Sequence, residues 1–428
     1  MQACGGTWIA WGSTATDFEV ADAEGKVRVP PESPKYTLKR IQLSEEEASD
    51  YYRGFSNQIL WPLFHLFTGK TRYDPQYWET YRKVNEKFAA SILQEAKPPD
   101  LIWVQDYHLS LVPHLIRKAR KESKIAFFWH IPWIPWEVFR NLPWRREILE
   151  GLLGSDLIGF HARPYVGNFM ECVKKELGLP IKREKGVIKL PRRRVKVRAF
   201  PVGIDFDRFA SPPRNVIEKA DKLRQALRAK HVLLSIDRLD YTKGILRRLE
   251  AFEKFLEKYP RFRGEVVLML IATPSRVKVG EYREMKKELD RNVGRINGRF
   301  QRVDWIPIRY FYRTLPQEEL ITYYRAADVA LITPLMDGMN LMSKEYIAAR
   351  EDCVLILSEF AGAAEQLKEA ILVNPHDKEK VADSIKKALE MSPEERKRRS
   401  RALRAGVEKF DIYWWLEKFF EEWKKAWR

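Results

Sequence analysis

The feature that most constrains this chain is a recurring alternation. A short aliphatic or β-branched run ends in a Gly, Asp or Pro turn, and ten or more residues of helical pattern follow. LIWVQDYH (101–108) leads into LSLVPHLIRKARKE, IAFFWHIPW (125–133) into WEVFRNLP, and DLIGFHARP into YVGNFMECVKKEL. After PVGIDFDRF (201–209) comes NVIEKADKLRQALRAK, and HVLLSIDRLDYTKG (231–244) then runs into ILRRLEAFEKFLEKYP. VVLMLIATPS, DVALITPL and VLILSEF add three more runs. Strands alternating with helices predict an α/β chain whose parallel sheets are covered on both faces. At 428 residues the chain exceeds a single core. The expected architecture is two doubly wound, Rossmann-like domains, 1–203 and 204–408, facing across a cleft. The aromatic-rich amphipathic segment 409–428 is expected to pack back on the first as a helix. Such sheets bind ligands beyond the C-terminal ends of their strands, so the residues directly after each run, and the cleft, are the places to inspect.

Charge narrows the partner classes. Lys and Arg number 77 against 59 Asp and Glu, a formal net charge of +18. The excess admits a nucleic-acid partner, but no nucleic-acid motif accompanies it, and such a partner is not expected. The basic runs 182–198 and 392–404 read as solvated helix or turn, and the surplus also suits phosphorylated anions. Three cysteines, Cys4, Cys172 and Cys353, stand far apart with no CxxC or His-Cys spacing, which argues against a disulfide framework or a zinc site. No apolar run approaches the ~20 residues of a membrane span, and the start lacks a basic-then-apolar signal pattern. A cytoplasmic protein without membrane contact is expected. Abundant Lys, Arg and Glu with few Cys and Met is a thermophile-type composition.

Two loops carry the densest chemistry. In SIDRLDYTKG (235–244), Arg238 and Lys243 lie five apart across a turn and could converge at a strand end, an arrangement that suits a diphosphate. A surface turn with local ion pairs would use the same residues. In TPLMDGMNLMSKEY (333–346), the backbone N–H groups from Gly338 to Leu341 are expected to open a helix that favours anions or sugar oxygens. Asp337 is placed on the N-cap side and Glu345 about two turns further on, where a carboxylate could accept from paired sugar hydroxyls. Plain capping by Asp337 with an exposed Glu345 is the competing reading. VQDYHL and FFWHIPW set Asp106 and His130 just after two hydrophobic runs, either as site residues or as satisfied core groups. No G-x-S-x-G nucleophile, Walker loop or metal-ligand cluster accompanies them.

Together, DYYRGFSNQILWPLFH, VQDYHL, FFWHIPW, SIDRLDYTKG, GRINGRF and TPLMDGMNLMSKEYIAAR resemble the trehalose-6-phosphate synthase family, retaining glycosyltransferases (family 20) of the two-domain GT-B fold. The resemblance runs in order from about Gly5 to the C-terminus. It implies transfer of glucose from a nucleotide diphosphate glucose, typically UDP-glucose, to the anomeric hydroxyl of glucose 6-phosphate, without metal or other cofactor. Arg238 and Lys243 would hold the diphosphate. Asp337 and the backbone of Gly338, Met339, Asn340 and Leu341 would hold the donor sugar and phosphate, and Glu345 the ribose. His130 would meet the donor glucose, with Asp106 near the reacting hydroxyls. Tyr52, Trp61 and Arg276 would contact the acceptor phosphate, with Trp11 or Trp8 nearby.

The pattern is broken in two places. The family's first strand, its Gly-Gly loop and an arginine that contacts the acceptor phosphate lie upstream of the region matched by CGGTWIAWGS, so an unpaired sheet position is expected. Met336 stands where the family usually carries arginine. A transferase using another phosphorylated acceptor, as in glucosylglycerol-phosphate synthases, and a catalytically impaired sugar-nucleotide-binding or regulatory protein remain alternatives. A fused phosphatase domain is not expected, and homo-oligomerisation is left open.

Overall fold

The computed structural model describes residues 5–12, 16–276 and 280–427, so Cys4 lies outside the described residues. The chain forms two compact units. One holds the residues up to Phe200 together with those from Phe419 on, and the other is Pro201–Lys418. No helix among the described residues is long and apolar enough to cross a membrane.

Among the described residues the first unit contains two sheets. Strands β1 (Thr7–Trp11), β2 (Lys26–Val29) and β3 (Tyr36–Ile41) form a small mixed sheet in the order β1-β3-β2. The larger one comprises β4 (Leu101–Gln105), β5 (Lys124–Phe128), β6 (Leu157–Phe160), β7 (Ile181–Lys182), β8 (Val187–Lys189) and β9 (Arg194–Ala199) in the order β4-β5-β6-β9-β8-β7. Its first four strands are parallel, and Ile125 to Phe128 are wholly buried, as continuous apolar runs covered on both faces require. β4 and β1 are end strands of their sheets.

The basic stretch 182–198 differs from expectation. Most of it is an antiparallel meander of β7, β8 and β9 rather than helix or solvated turn. The alternation around VKV explains this: Val195, Val197 and Ile188 are buried while Arg194 and Lys189 face solvent. The other basic run does form a helix, Pro393–Lys409. The terminal aromatic segment forms the helix Ile412–Lys424, whose Phe419 packs on Trp103, Phe128 and Phe200.

In the second unit β10 (His231–Arg238), β11 (Val266–Thr273), β12 (Ile308–Tyr312), β13 (Val329–Ile332), β14 (Val354–Ser358) and β15 (Ile371–Val373) form one fully parallel sheet. Its order, β12-β11-β10-β13-β14-β15, is that of a Rossmann fold. The order reverses between β10 and β13, so the loops following these two strands flank the topological switch point where such sheets take ligands.

The chain passes between units at Phe200 and Pro201, and the next residues are tightly held. A Cβ on Gly203 would come within 2.2 Å of the Asp411 carbonyl carbon and 2.4 Å of the Phe410 oxygen. Ile412 N donates to Ile204 O at 2.9 Å. Backbone that cannot retreat makes even one methyl an overpacking change, so Gly203→Ala should lose about 1–3 kcal/mol in denaturant unfolding. A stability equal to that of the parent would show that this segment yields.

Candidate active site

The two loops at the switch point are bound into one structure. Asp240 ends the turn after β10, its Oδ1 accepting from Thr242 N at 3.0 Å and Thr242 Oγ1 at 2.8 Å. Gly244 follows with φ +66, and a Cβ there would lie 2.5 Å from Thr333 O, so conformation and space both demand glycine. From the other loop, Leu335 N and Met336 N donate to Thr242 O at 2.8 and 3.4 Å. Met336, the departure from the family pattern, is therefore part of this seam. Across it Lys243 Nζ meets Asp337 Oδ2 at 2.6 Å. Burial opposes the charge on Lys243, yet Asp337 and Asp237 outweigh it and hold its pKa above the ordinary lysine value. Arg238 ends β10 on the exposed side and is close enough to oppose the Lys243 charge.

Below the loops lies a group that sequence reasoning missed. Arg248 is 1% exposed, and its guanidinium joins Thr333 Oγ1 (3.1 Å), Ser235 Oγ (2.5 Å), Asp237 Oδ2 (2.9 Å) and Lys243 O (3.0 Å). It ties β10, the turn after it and the end of β13 to the helix Ile245–Lys258. Burial keeps the Asp237 carboxyl above its usual range despite this partner. A signal was present: Arg248 stands in the apolar stripe of Ile245, Leu249, Phe252 and Phe255, where a cation needs a buried partner.

The turn after β13 is built differently from the expectation. The helix is Leu341–Ala349, so Gly338 to Asn340 precede it rather than open it. Its N-cap is Asn340, whose Oδ1 accepts from Ser343 N at 3.1 Å, and Asp337 does not cap. Asp337 instead accepts from Asn340 Nδ2 (3.0 Å), Met339 N (3.3 Å) and Lys243. Asn340 rather than Gly338 takes the left-handed conformation, at φ +72, which asparagine tolerates because its short amide bonds locally. Glu345 lies about one turn into the helix instead of two. Tyr324 OH donates to its Oε2 at 2.8 Å, and burial raises the Glu345 pKa.

The first unit assembles the other residues. Asp106 has φ +69 and ψ 166, a region that is essentially glycine's, and the strain is held by its own contacts. Its N donates to Phe128 O at 2.7 Å, while Oδ1 accepts from Tyr107 N (2.9 Å) and His130 N (3.1 Å), locking the ends of β4 and β5 together. His130 Nε2 lies 2.8 Å from Gln105 Oε1, and burial lowers the His130 pKa against the pull of Asp106. A chain of ring contacts runs from Trp11 to Tyr52 (5.8 Å between centroids), His108 (5.6 Å), Tyr107 (4.0 Å) and Trp61 (6.2 Å). Tyr52 rides on the π-helical segment Ser49–Leu60 that runs directly into Trp61–Phe64. Trp8 stands apart, 52% exposed against Tyr36. Arg276 belongs to the second unit, at φ +48, where its Nη1 meets Asp240 Oδ2 (3.1 Å) and Tyr282 OH (2.6 Å). Among the described residues no three His, Cys, Asp or Glu side chains converge to hold a metal.

Residues 1–425 match glycosyltransferase family 20. The chain belongs to that family. A bifunctional trehalose-6-phosphate synthase/phosphatase of Thermoproteus tenax is 47% identical over 414 residues, covering 95% of this chain and 55% of that protein. The chain thus spans about half the length of this relative. A trehalose-6-phosphate synthase of Mycolicibacterium gilvum is 43% identical, covering 97% of this chain and 84% of that protein. A solved structure described as trehalose-6-phosphate from E. coli bound with UDP-2-fluoro glucose superposes with a TM-score of 0.92 at 34% identity, covering 99% of this chain and 93% of that one. The family-20 chain accordingly has the GT-B fold.

Removing one member of a buried ion pair strands the other. Arg248→Met should cost about 3–5 kcal/mol in denaturant unfolding, and adding Asp237→Asn should recover part of it. Additive losses in the double variant would show that the two do not act as a pair.

Proposed function

We propose that this family-20 chain is a retaining glucosyltransferase that moves glucose from UDP-glucose to the anomeric hydroxyl of glucose 6-phosphate, forming trehalose 6-phosphate. The observation that carries the reading is the Lys243–Asp337 pair, 2.6 Å apart beside the Asn340-capped helix at the switch point of a Rossmann sheet. The likeness to a structure holding a UDP-sugar analogue supports it.

In this reading the donor diphosphate lies against Arg238 and Lys243. As the bond from glucose C1 to the diphosphate oxygen breaks, negative charge grows on the leaving phosphate, and the two cations stabilise it more than they stabilise the bound substrate. Asp337 holds Lys243 in place and, with the backbone from Gly338 to Leu341, receives the donor sugar and phosphate. Glu345, its rotamer fixed by Tyr324, takes the ribose hydroxyls.

The acceptor hydroxyl attacks from the face that the diphosphate leaves, and a leaving-group oxygen takes its proton, so no protein base is required. Asp106 and His130 then orient rather than abstract. A histidine kept neutral by burial and a carboxylate committed to two backbone N–H groups suit that role. Tyr52, Trp61 and Arg276 meet the acceptor phosphate, with Trp11 beside Tyr52.

Mixing UDP-glucose with glucose 6-phosphate should release UDP with formation of trehalose 6-phosphate, while glycerol 3-phosphate leaves release at background. Arg238→Ala should lower kcat by about 10²–10³-fold, the usual loss for one preorganised charge-stabilising group. UDP release no faster than background hydrolysis with glucose 6-phosphate would sink the reading, and unchanged turnover in Arg238→Ala would remove that residue from it.

A further inference from the structure

The helix Leu341–Ala349 carries a lysine that the proposed reaction does not use. Lys344 is 1% exposed, and its Nζ donates to two neutral oxygens, Val202 O and Gln366 Oε1, each at 2.7 Å. Buried ammonium groups ordinarily find a carboxylate, yet among the described residues Lys344 makes no ion pair. Several charged and titratable groups on the surrounding elements have other partners. Tyr324 bonds Glu345, Arg325 bonds Ala349 O, and Arg404 bonds Ile347 O and Ala348 O. Asp207 and Arg208 lie on Phe206–Ala210 and Glu365 on Gly362–Glu365, and burial is what lowers the Lys344 pKa.

Both acceptors sit at joints. Val202 is the second residue after the chain enters the second unit, and its neighbours Gly203 and Ile204 are pressed against Phe410 to Ile412. Gln366 directly follows the turn that backs the donor loop. In that turn Gly362 N donates to Asp337 O at 3.0 Å and Ala363 N to Met339 O at 2.8 Å. One side chain therefore joins the crossover segment, the backing of the donor turn and the donor helix itself.

We propose that Lys344 is a positioning residue of the transferase, fixing the Asp337–Leu341 turn and the crossover segment at Val202 in the arrangement that receives the nucleotide diphosphate sugar. The inference rests on the reading of that turn as the donor site. The tether is also titratable. Burial brings Lys344 from 10.5 down to about 7, so the folded protein gives up this proton where the unfolded chain still keeps it. The cost of burying its charge is full below about pH 7 and fades as pH rises towards 10.5. A carboxylate in place of Gln366 would hold the proton and remove that dependence.

The test compares the full-length parent, Lys344→Met and Gln366→Glu, measuring melting temperature, the thermal shift with UDP-glucose, and kcat and KM from about pH 6 to about pH 9. The stability of the parent relative to Lys344→Met should be constant below neutrality and rise above it. That of Gln366→Glu relative to Lys344→Met should stay flat. Lys344→Met should raise the KM for UDP-glucose about tenfold with kcat changed less than about twofold, a loss of donor placement rather than of chemistry. A parental KM in Lys344→Met, or a stability gap that ignores pH, overturns the proposal. Should Lys344→Met fail to fold, a Gln366→Glu protein with the parent's pH dependence overturns it equally. If the parent binds UDP-glucose but releases no UDP, the catalytic reading fails, while the melting and ligand-shift measurements still decide the role of Lys344.

Discussion

The structure of the candidate donor site depends on one ion pair, Lys243 with Asp337. These residues lie 94 positions apart in sequence, at the ends of loops that leave neighbouring strands of one parallel sheet. Between them the chain builds β11, β12 and their crossover helices, so nothing local holds the two loops together. The structure supplies that hold twice. Thr242 O draws in the backbone of Leu335 and Met336, and the Lys243 ammonium then reaches Asp337. Gly244 permits the approach, and Arg248 anchors both loops from below.

Four buried charged groups of this unit, Lys243 of the pair among them, show different outcomes of burial. Asp240 keeps its proton off more readily than usual, because Arg276 and the Thr242 donors overcome its desolvation. Asp237 does not reach that balance, and its carboxyl is raised. Lys243 gains from two carboxylates, whereas Lys344 has only neutral oxygens and is pulled down to about 7. The contrast between the two lysines is one of partners, since both are buried. A cation proposed to bind phosphate has to stay charged, and Asp337 favours that for Lys243. Lys344 has no such guarantee, which suits a structural tether better than an anion ligand.

Much of this frame was legible in the sequence, for physical reasons. Runs such as VVLMLIAT and VALI are apolar on both faces, so they announce buried parallel strands, and the polar loops after them announce the site. The cap of the helix that follows proved to be Asn340 rather than Asp337. What was illegible lay in pairing across distance. Nothing local to DGMN says that Asp337 is spoken for by Lys243, and helix bounds set by a tertiary contact cannot be read from propensity alone. The stretch 182–198 was misread because its cations hid a period of two, with valines turned inward. Arg248 was overlooked although a cation within an apolar stripe is a readable anomaly.

In the first unit the strain at Asp106 argues for the same principle by other means. A φ of +69 on aspartate costs of order 1–3 kcal/mol and persists only where surrounding contacts over-determine it. Here those contacts are the backbone of Phe128, Tyr107 and His130, so the side chain that bends the chain is the one that joins β4 to β5. Relaxing Asp106 would free the His130 backbone, and with it the burial that lowers the pKa of the imidazole. Asp106 commits one carboxylate oxygen to the backbone N–H groups of Tyr107 and His130, an arrangement that fits the orienting role proposed for it.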